Sequence, residues 1–184
     1  MTKPIPENTL NMLIAHLSTP LGDMKLTIEQ DCISSLKFTS DYKITDENIT
    51  DSTVRIRSVK RINNNSIELL KNTISQLNEY FLGQRFNFTL PLRPDRCTPF
   101  RKSIWHELLN IPYGETITYA SLATIYGKPN AAKAVGNACA ANPINILIPC
   151  HRVVGSNNNL GGYNGGIARK TALLELELKH KSNK

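Results

Sequence analysis

Apolar positions change period several times along the chain, and each period predicts a different element. Between residues 10 and 38 they alternate around polar turn signals: Leu26 and Ile28 precede Gln30-Asp31, and Ile33, Leu36 and Phe38 follow it. Alternation turns one side of each segment toward a core, so a meander or hairpin of strands is predicted. Residues 40–65 are polar and rich in Asp, Asn, Thr and Arg, which predicts irregular loop with one short strand near residues 54–59. Ile67, Leu70, Ile74, Leu77 and Phe81 then recur at helical spacing and line one face of a helix that ends near Gly83. Phe86, Phe88 and Leu90 return to alternation and predict another strand.

Pro91-Leu92-Arg93-Pro94 has the character of a linker, and Thr98-Pro99-Phe100 supplies an N-cap followed by proline at the first helical position. A two-domain division into residues 1–94 and 95–184 follows. The first helix of the second part is expected to bury Phe100, Ile104, Trp105 and Leu108 and to stop before Pro112-Tyr113-Gly114. A second helix over about residues 119–126, the turn Gly127-Lys128-Pro129 and a third helix over about residues 130–141, ended by Asn142-Pro143, fit either a helix-turn-helix or an ordinary helical hairpin. Ala131, Ala132, Ala134, Gly136, Ala138, Ala140 and Ala141 leave the third helix almost without bulk, and only Lys133 and Asn137 offer polar reach. Such a helix suits shape-based docking into a narrow groove, or close packing against a neighbouring domain. Residues 144–148 form an apolar run that predicts a short buried strand, and Gly161-Gly162-Tyr163-Asn164-Gly165-Gly166 is either a loop that folds over a ligand or a flexible connector. A last helix over about residues 167–179 is expected to bury Ile167, Leu174 and Leu178 and to carry Glu175 and Glu177.

With 40% hydrophobic and 20% charged residues in 184, the composition is that of a globular chain rather than a disordered or fibrous one. No apolar run is long enough to span a bilayer, and the first residues lack a secretory pattern, so an intracellular, cytoplasmic protein without a membrane partner is expected. The net charge of +7 is uneven: residues 1–94 hold 11 Lys and Arg against 10 Asp and Glu, and residues 95–184 hold 11 against 5. A basic second half is the footprint of a phosphate-backbone binder, although several of its lysines decorate the final residues.

Cys32, Cys97, Cys139 and Cys150 are scattered and include no Cys-x-x-Cys pair, so neither a disulfide framework, nor a standard zinc site, nor any cofactor is indicated. Cys150 stands apart because Pro149-Cys150-His151-Arg152-Val153 sets a thiol beside an imidazole. A thiolate is strongly nucleophilic and can be populated when a base or a positive field acts on it, which makes cysteine a sensible acceptor of an alkyl group. Free cysteine also serves as a small core residue, and an isolated Cys-His pair does not decide between the two.

The surrounding motifs do. Thr98-Pro99-Phe100, Ile111-Pro112-Tyr113-Gly114-Glu115-Thr116, Thr118-Tyr119, Ala134-Val135-Gly136, Asn142-Pro143, the Cys150 pentapeptide, Gly162-Tyr163 and Leu173-Leu174-Glu175-Leu176-Glu177 resemble, in order and spacing, the O6-alkylguanine-DNA alkyltransferases, or methylated-DNA-protein-cysteine methyltransferases. Thr19-Pro20-Leu21-Gly22 and Leu77-Asn78-Glu79-Tyr80-Phe81-Leu82-Gly83 extend the likeness to the first half. The resemblance implies an α+β protein with an N-terminal ribonuclease H-like α/β domain and a C-terminal winged helix-turn-helix-like domain. It implies direct-reversal repair by a monomer that binds double-stranded DNA through the minor groove and flips the damaged base. Cys150 would take the alkyl group from O6-alkylguanine, and from O4-alkylthymine, in one irreversible displacement.

By the same resemblance His151 is the base, Glu177 orients it and favours its charged form, and Asn142 braces the active-site turn. Because neighbours in an extended segment point apart, His151 is expected to reach Cys150 through a water. Tyr119 would contact guanine and help rotate the phosphate, while Val153, Tyr163, Asn164 and Arg152 would line the substrate site. Lys133, Ala134, Gly136 and Asn137 would face DNA. The family usually carries Arg where this chain has Lys133, which keeps the charge but lacks a planar stacking fork. Asn164 stands where some relatives have Ser, and Ala140 where relatives can carry a basic residue. The rival readings are a damage-recognising relative, which lacks the acceptor cysteine that Cys150 supplies here, a winged-helix regulator, and a cysteine hydrolase, in which adjacent Cys and His would be poorly placed for direct proton transfer.

Overall fold

A computed structural model describes residues 12–39, 54–60, 64–94, 97–157 and 159–181. Its first half is a four-stranded antiparallel sheet made of β1 (Met12–Thr19), β2 (Gly22–Glu29), β3 (Cys32–Phe38) and β4 (Arg55–Lys60), in the order β3-β2-β1-β4. The alternating pattern places Leu13, Ala15 and Leu17 opposite Ile28, Leu26 and Met24, and all six are fully buried. One sheet face is thereby committed to the core. The β2–β3 hairpin turns through Gln30 and Asp31, both at positive φ (49° and 56°), the combination that lets a two-residue turn match strand twist.

Helix α1 (Asn64–Phe81) follows, with Leu69, Leu70, Leu77, Tyr80 and Phe81 buried, and stops at Gly83, whose φ of 69° suits glycine. Phe86, Phe88 and Leu90 do not form the expected strand. They pack partly buried against the core from irregular backbone, and only Leu92 makes a bridge, to Ile33. Phe88 sits 5.4 Å from the Tyr80 ring and Phe86 4.9 Å from the Tyr113 ring, so aromatic packing replaces ladder pairing here.

The second half begins with α2 (Pro99–Leu108), capped by Thr98, whose side chain accepts from the Arg101 N–H. Ile104, Trp105 and Leu108 are buried, as expected, while Phe100 is partly so. The two-residue strand β5 (Ile117–Thr118) leads into α3 (Tyr119–Ile125), and a turn at Gly127 and a 3-10 turn (Pro129–Ala131) lead into α4 (Ala132–Ala140). Trp105 ties α2 to α4 by donating from Nε1 to the Ala138 carbonyl at 2.8 Å. Strand β6 (Val153–Val154) pairs in parallel with β5, and α5 (Ile167–His180) closes the fold. None of the helices among the described residues is long and apolar enough to cross a membrane.

Two expectations fail in ways that matter for function. Residues 144–148 are not a strand but a compact turn, with the buried Ile146 at φ 70°. A β-branched residue in that region is held against its own preference by what surrounds it. Helix α5 does not bury Ile167 or Leu178, which are 46% and 69% exposed; its buried residues are Arg169, Lys170, Leu173 and Glu177. Charged side chains on that inward face bind carbonyls and partners of the site.

The halves meet through backbone. Edge strand β3 donates from Leu36 N–H to the Pro143 carbonyl at 2.9 Å and accepts from Asn145 N–H at 2.8 Å, and Arg169 donates from Nε to the Leu21 carbonyl at 2.8 Å.

Candidate active site

The turn that carries Cys150 is organised by Asn142. Its side-chain oxygen accepts from Ile144 N–H at 3.0 Å, and its amide donates to the Ile148 carbonyl at 2.8 Å and to Cys150 Sγ at 3.0 Å. A fully buried amide thus satisfies the ends of the turn and points one proton at the sulfur. Cys150, His151 and Arg152 form a 3-10 turn rather than the expected extended segment, which aims the three side chains in different directions. Sulfur and imidazole make no direct hydrogen bond even so: His151 turns its Nε2 to Glu177 Oε1 at 2.8 Å, and its Nδ1 has no protein hydrogen-bond partner.

Glu177, fully buried on α5, collects donors on both oxygens. Oε1 accepts from His151, from Arg152 Nη2 at 2.9 Å and from the Tyr80 hydroxyl at 2.8 Å; Oε2 accepts from Arg152 Nε at 2.9 Å and from Gly114 N–H at 2.9 Å. Although burial opposes ionisation, the hydrogen bonds of His151 and Arg152 and the Arg152 charge hold this carboxyl well below the usual carboxylate range. An ionised carboxylate only accepts, so Nε2 of His151 carries the proton and Nδ1 keeps a free lone pair when the ring is neutral. Burial, together with the charges of Arg152 and Lys170, lowers the His151 pKa although Glu177 raises it. Glu177 favours the charged form, as expected, but the net shift is downward, so the resting imidazole is neutral.

Cys150 is only 3% exposed, yet it borders a cavity of about 720 Å³ whose other walls include Tyr119, Gly136, Cys139, Tyr163 and Asn164. Burial pushes the thiol up to about 11, opposed by the Asn142 hydrogen bond and the charge of Lys170. At rest it is a protonated thiol. The β5–β6 pairing of Ile117 with Val153 and Thr118 with Val154 sets Tyr119, the first residue of α3, beside the cysteine turn. Burial raises the Tyr119 phenol to about 12, so it remains a donor.

The lip of the cavity is pinned by Lys170, which sequence reasoning missed. From its buried position on α5, Nζ donates to the carbonyls of Val153 (2.6 Å), Leu160 (2.5 Å) and Gly162 (3.3 Å). Asn164 donates to the Asn142 carbonyl at 2.8 Å, joining the lip to the cysteine turn. Gly161, at φ 67°, has no room for a side chain: a Cβ there would lie 2.8 Å from the Tyr119 ring. Tyr163 stands edge-on to His151, with ring centroids 6.4 Å apart.

Of the residues singled out from sequence, Cys150, Tyr119, Lys133, Gly136, Tyr163 and Asn164 come together on this cavity, with Asn142, His151 and Glu177 behind it. Ala134 and Asn137 are exposed on α4 without lining it. Val153 is fully buried and does not line the cavity; its carbonyl accepts from Lys170. Arg152 lies behind the site, on Glu177 and on the Ile111 carbonyl at 2.7 Å, rather than on the cavity wall. Tyr80 was legible only as part of a matching motif, and Lys170 only as one more polar residue in an amphipathic helix. Both become visible through burial.

Fold and site together define a two-domain protein that sets a buried cysteine, backed by a His151–Glu177 pair, at a cavity beside a helix-turn-helix. Residues 12–94 match the model of the 6-O-methylguanine DNA methyltransferase ribonuclease-like domain, and residues 99–179 that of the same family's DNA-binding domain. A Methanosarcina acetivorans methylated-DNA-protein-cysteine methyltransferase is 37% identical over 90% of this chain and 98% of its own length. A probable enzyme of the same description from Acanthamoeba polyphaga mimivirus is 46% identical over 71% of this chain and 87% of its own. The crystal structure of a Mycobacterium tuberculosis protein of this kind in complex with DNA superposes with a TM-score of 0.72 at 36% identity, covering 90% of this chain and 92% of that one. The chain belongs to the 6-O-methylguanine DNA methyltransferase family.

Proposed function

We propose that this protein repairs alkylated DNA by moving the alkyl group from O6 of guanine, and by the same chemistry from O4 of thymine, onto Cys150. The observation that carries the reading is the placement of the Cys150 sulfur at a cavity large enough for a base, with a neutral imidazole and an ionised carboxylate in line behind it. Duplex DNA docks through its minor groove on α4, whose small residues permit close approach, and the damaged nucleotide swings into the cavity. Lys133 is the one cation on that helix and fills the stack in place of arginine. The protein acts as a monomer in the compartment that holds its DNA, with residues 1–94 as a supporting domain and residues 95–184 as the DNA-binding and acceptor domain.

The thiol proton passes through a bridging water to Nδ1 of His151, forming an imidazolium hydrogen-bonded to the ionised Glu177. As the Sγ–C bond forms, the C–O6 bond breaks and its electron pair goes to the guanine, which takes up one proton to become the normal base. Tyr119 donates to the ring as this charge develops and helps turn the 3′ phosphate, while the backbone N–H of Asn164 faces O6. Carbonyls of Cys150 and Val153 accept from the guanine amine. The Val153 oxygen already accepts from Lys170 and uses its second lone pair. The S-alkylcysteine product is a thioether, stable in water, so each molecule acts once.

A titration tests this. With excess duplex containing O6-methylguanine, the amount of guanine restored should equal the amount of protein and then stop. Continued turnover, or no restoration with intact wild-type protein, contradicts it.

A further inference from the structure

The proton-handling machinery of the second half has one member from the first. Tyr80 lies on α1, fully buried, and its hydroxyl donates to Oε1 of Glu177 at 2.8 Å, the same oxygen that accepts from His151. Its ring has little freedom: Phe81, Phe88 and Tyr113 surround it at centroid distances of 5.5, 5.4 and 5.9 Å. Burial and the nearby carboxylate raise the phenol well above its usual range, so it donates at every pH at which the protein works.

We infer that Tyr80 is a positioning residue for the alkyl transfer, which caps the carboxylate oxygen shared with His151 and thereby keeps the imidazole neutral and its Nδ1 lone pair free to take the cysteine proton. The inference rests on the acceptor role of Cys150 and base role of His151 proposed above. The physical argument is competition at one oxygen. A carboxylate that gives part of its charge to a phenol pulls less on the Nε2 proton and stabilises an imidazolium less. Without the phenol, Oε1 binds the imidazolium more tightly and the His151 pKa rises. The other groups acting on the ring are Arg152 and Lys170, which disfavour its charge, and Tyr163, whose ring stands edge-on to it. None of these is lost when Tyr80 becomes Phe.

The test is Tyr80→Phe, which removes one oxygen and retains the ring, compared with wild type by two readouts: the His151 ring NMR titration, and the single-turnover rate of methyl transfer against pH. The expected result is a His151 midpoint raised by about half a unit, with the acid limb of the rate profile moved equally, so that transfer on that limb is about threefold slower while the alkaline plateau is nearly unchanged. A lowered melting temperature with both midpoints unmoved would reduce Tyr80 to packing and overturn the inference. If Tyr80→Phe does not fold, 3-fluorotyrosine at position 80, a stronger donor of nearly equal size, should move the His151 midpoint down, and an unmoved or raised midpoint would overturn it. The NMR titration needs no substrate, so absence of transfer in the wild type would count against the acceptor role of Cys150 and leave this result standing.

Discussion

At the scale of single residues, the site separates two tasks that the neighbouring positions of Cys150 and His151 could suggest are one. The thiol is held protonated by burial, and the base is held neutral by burial, so neither is charged before substrate arrives. Lys170 is the cation that biases this balance toward the thiolate while pinning three carbonyls of the lip. Replacing it with Met leaves those buried carbonyls short of a donor, and a loss of about 2–4 kcal/mol in stability is expected, measurable by urea unfolding. The same variant should slow single-turnover transfer at least about tenfold, because the lip and the positive field go together. A variant with wild-type transfer rate would remove Lys170 from the account. Cys150, His151 and Glu177 were legible in the sequence as candidates because their motifs are dense and ordered. Lys170 was not, since helical spacing marks a stripe but does not say that a lysine in it points inward to carbonyls supplied by a distant loop.

At the scale of elements, α4 and the glycine loop form opposite walls of one cavity, and each makes a prediction. Lys133 is exposed on α4 at the cavity rim, where it carries charge without a flat face for stacking. Lys133→Arg should tighten binding to duplex DNA at fixed salt, and equal or weaker affinity in a fluorescence anisotropy titration would contradict that assignment. Across the cavity, Gly161→Ala combines a positive φ with a methyl 2.8 Å from the Tyr119 ring. The ring must shift, so transfer should slow markedly while the melting temperature falls only modestly; unchanged transfer would mean that Tyr119 is not held by this loop. Periodicity was a good guide to α1, α2 and the first three strands, where one face packs on one core. It failed at residues 144–148 and at Phe86, Phe88 and Leu90, because apolar residues can be buried by a tight turn or by aromatic packing without any ladder. In α5 the inward face is polar, so counting apolar residues chose the wrong side.

At the scale of the whole molecule, the first half is part of the site's construction. Strand β3 holds the Pro143 and Asn145 backbone, Tyr80 holds Glu177, and Arg169 joins the Leu21 carbonyl to that of Gly165 while stacking 4.3 Å from the Phe38 ring. Such cross-domain contacts have no signature in a one-dimensional pattern, which is why residues 1–94 read from sequence only as a supporting domain. The buried groups also fix how stability depends on pH. His151 and Glu177 both have folded pKa values below their unfolded ones, so their effect is lost as pH falls, first below the ordinary histidine range and then below the ordinary carboxylate range. Cys150 and Cys139 are raised to about 11 and about 12, so the unfolded chain ionises first and stability declines as pH climbs from about 8.5 through those values. Denaturation midpoints should therefore form a dome with its top near neutrality, and a midpoint that keeps rising into strong alkali would contradict the buried thiols. The most direct measurement of the central claim is the mass of the intact protein after incubation with duplex DNA carrying O6-methylguanine. The account predicts a gain equal to one methyl group in place of one hydrogen per molecule, mapped to the Cys150 peptide and absent in Cys150→Ser. No gain in the wild type, or an equal gain in Cys150→Ser, would contradict it.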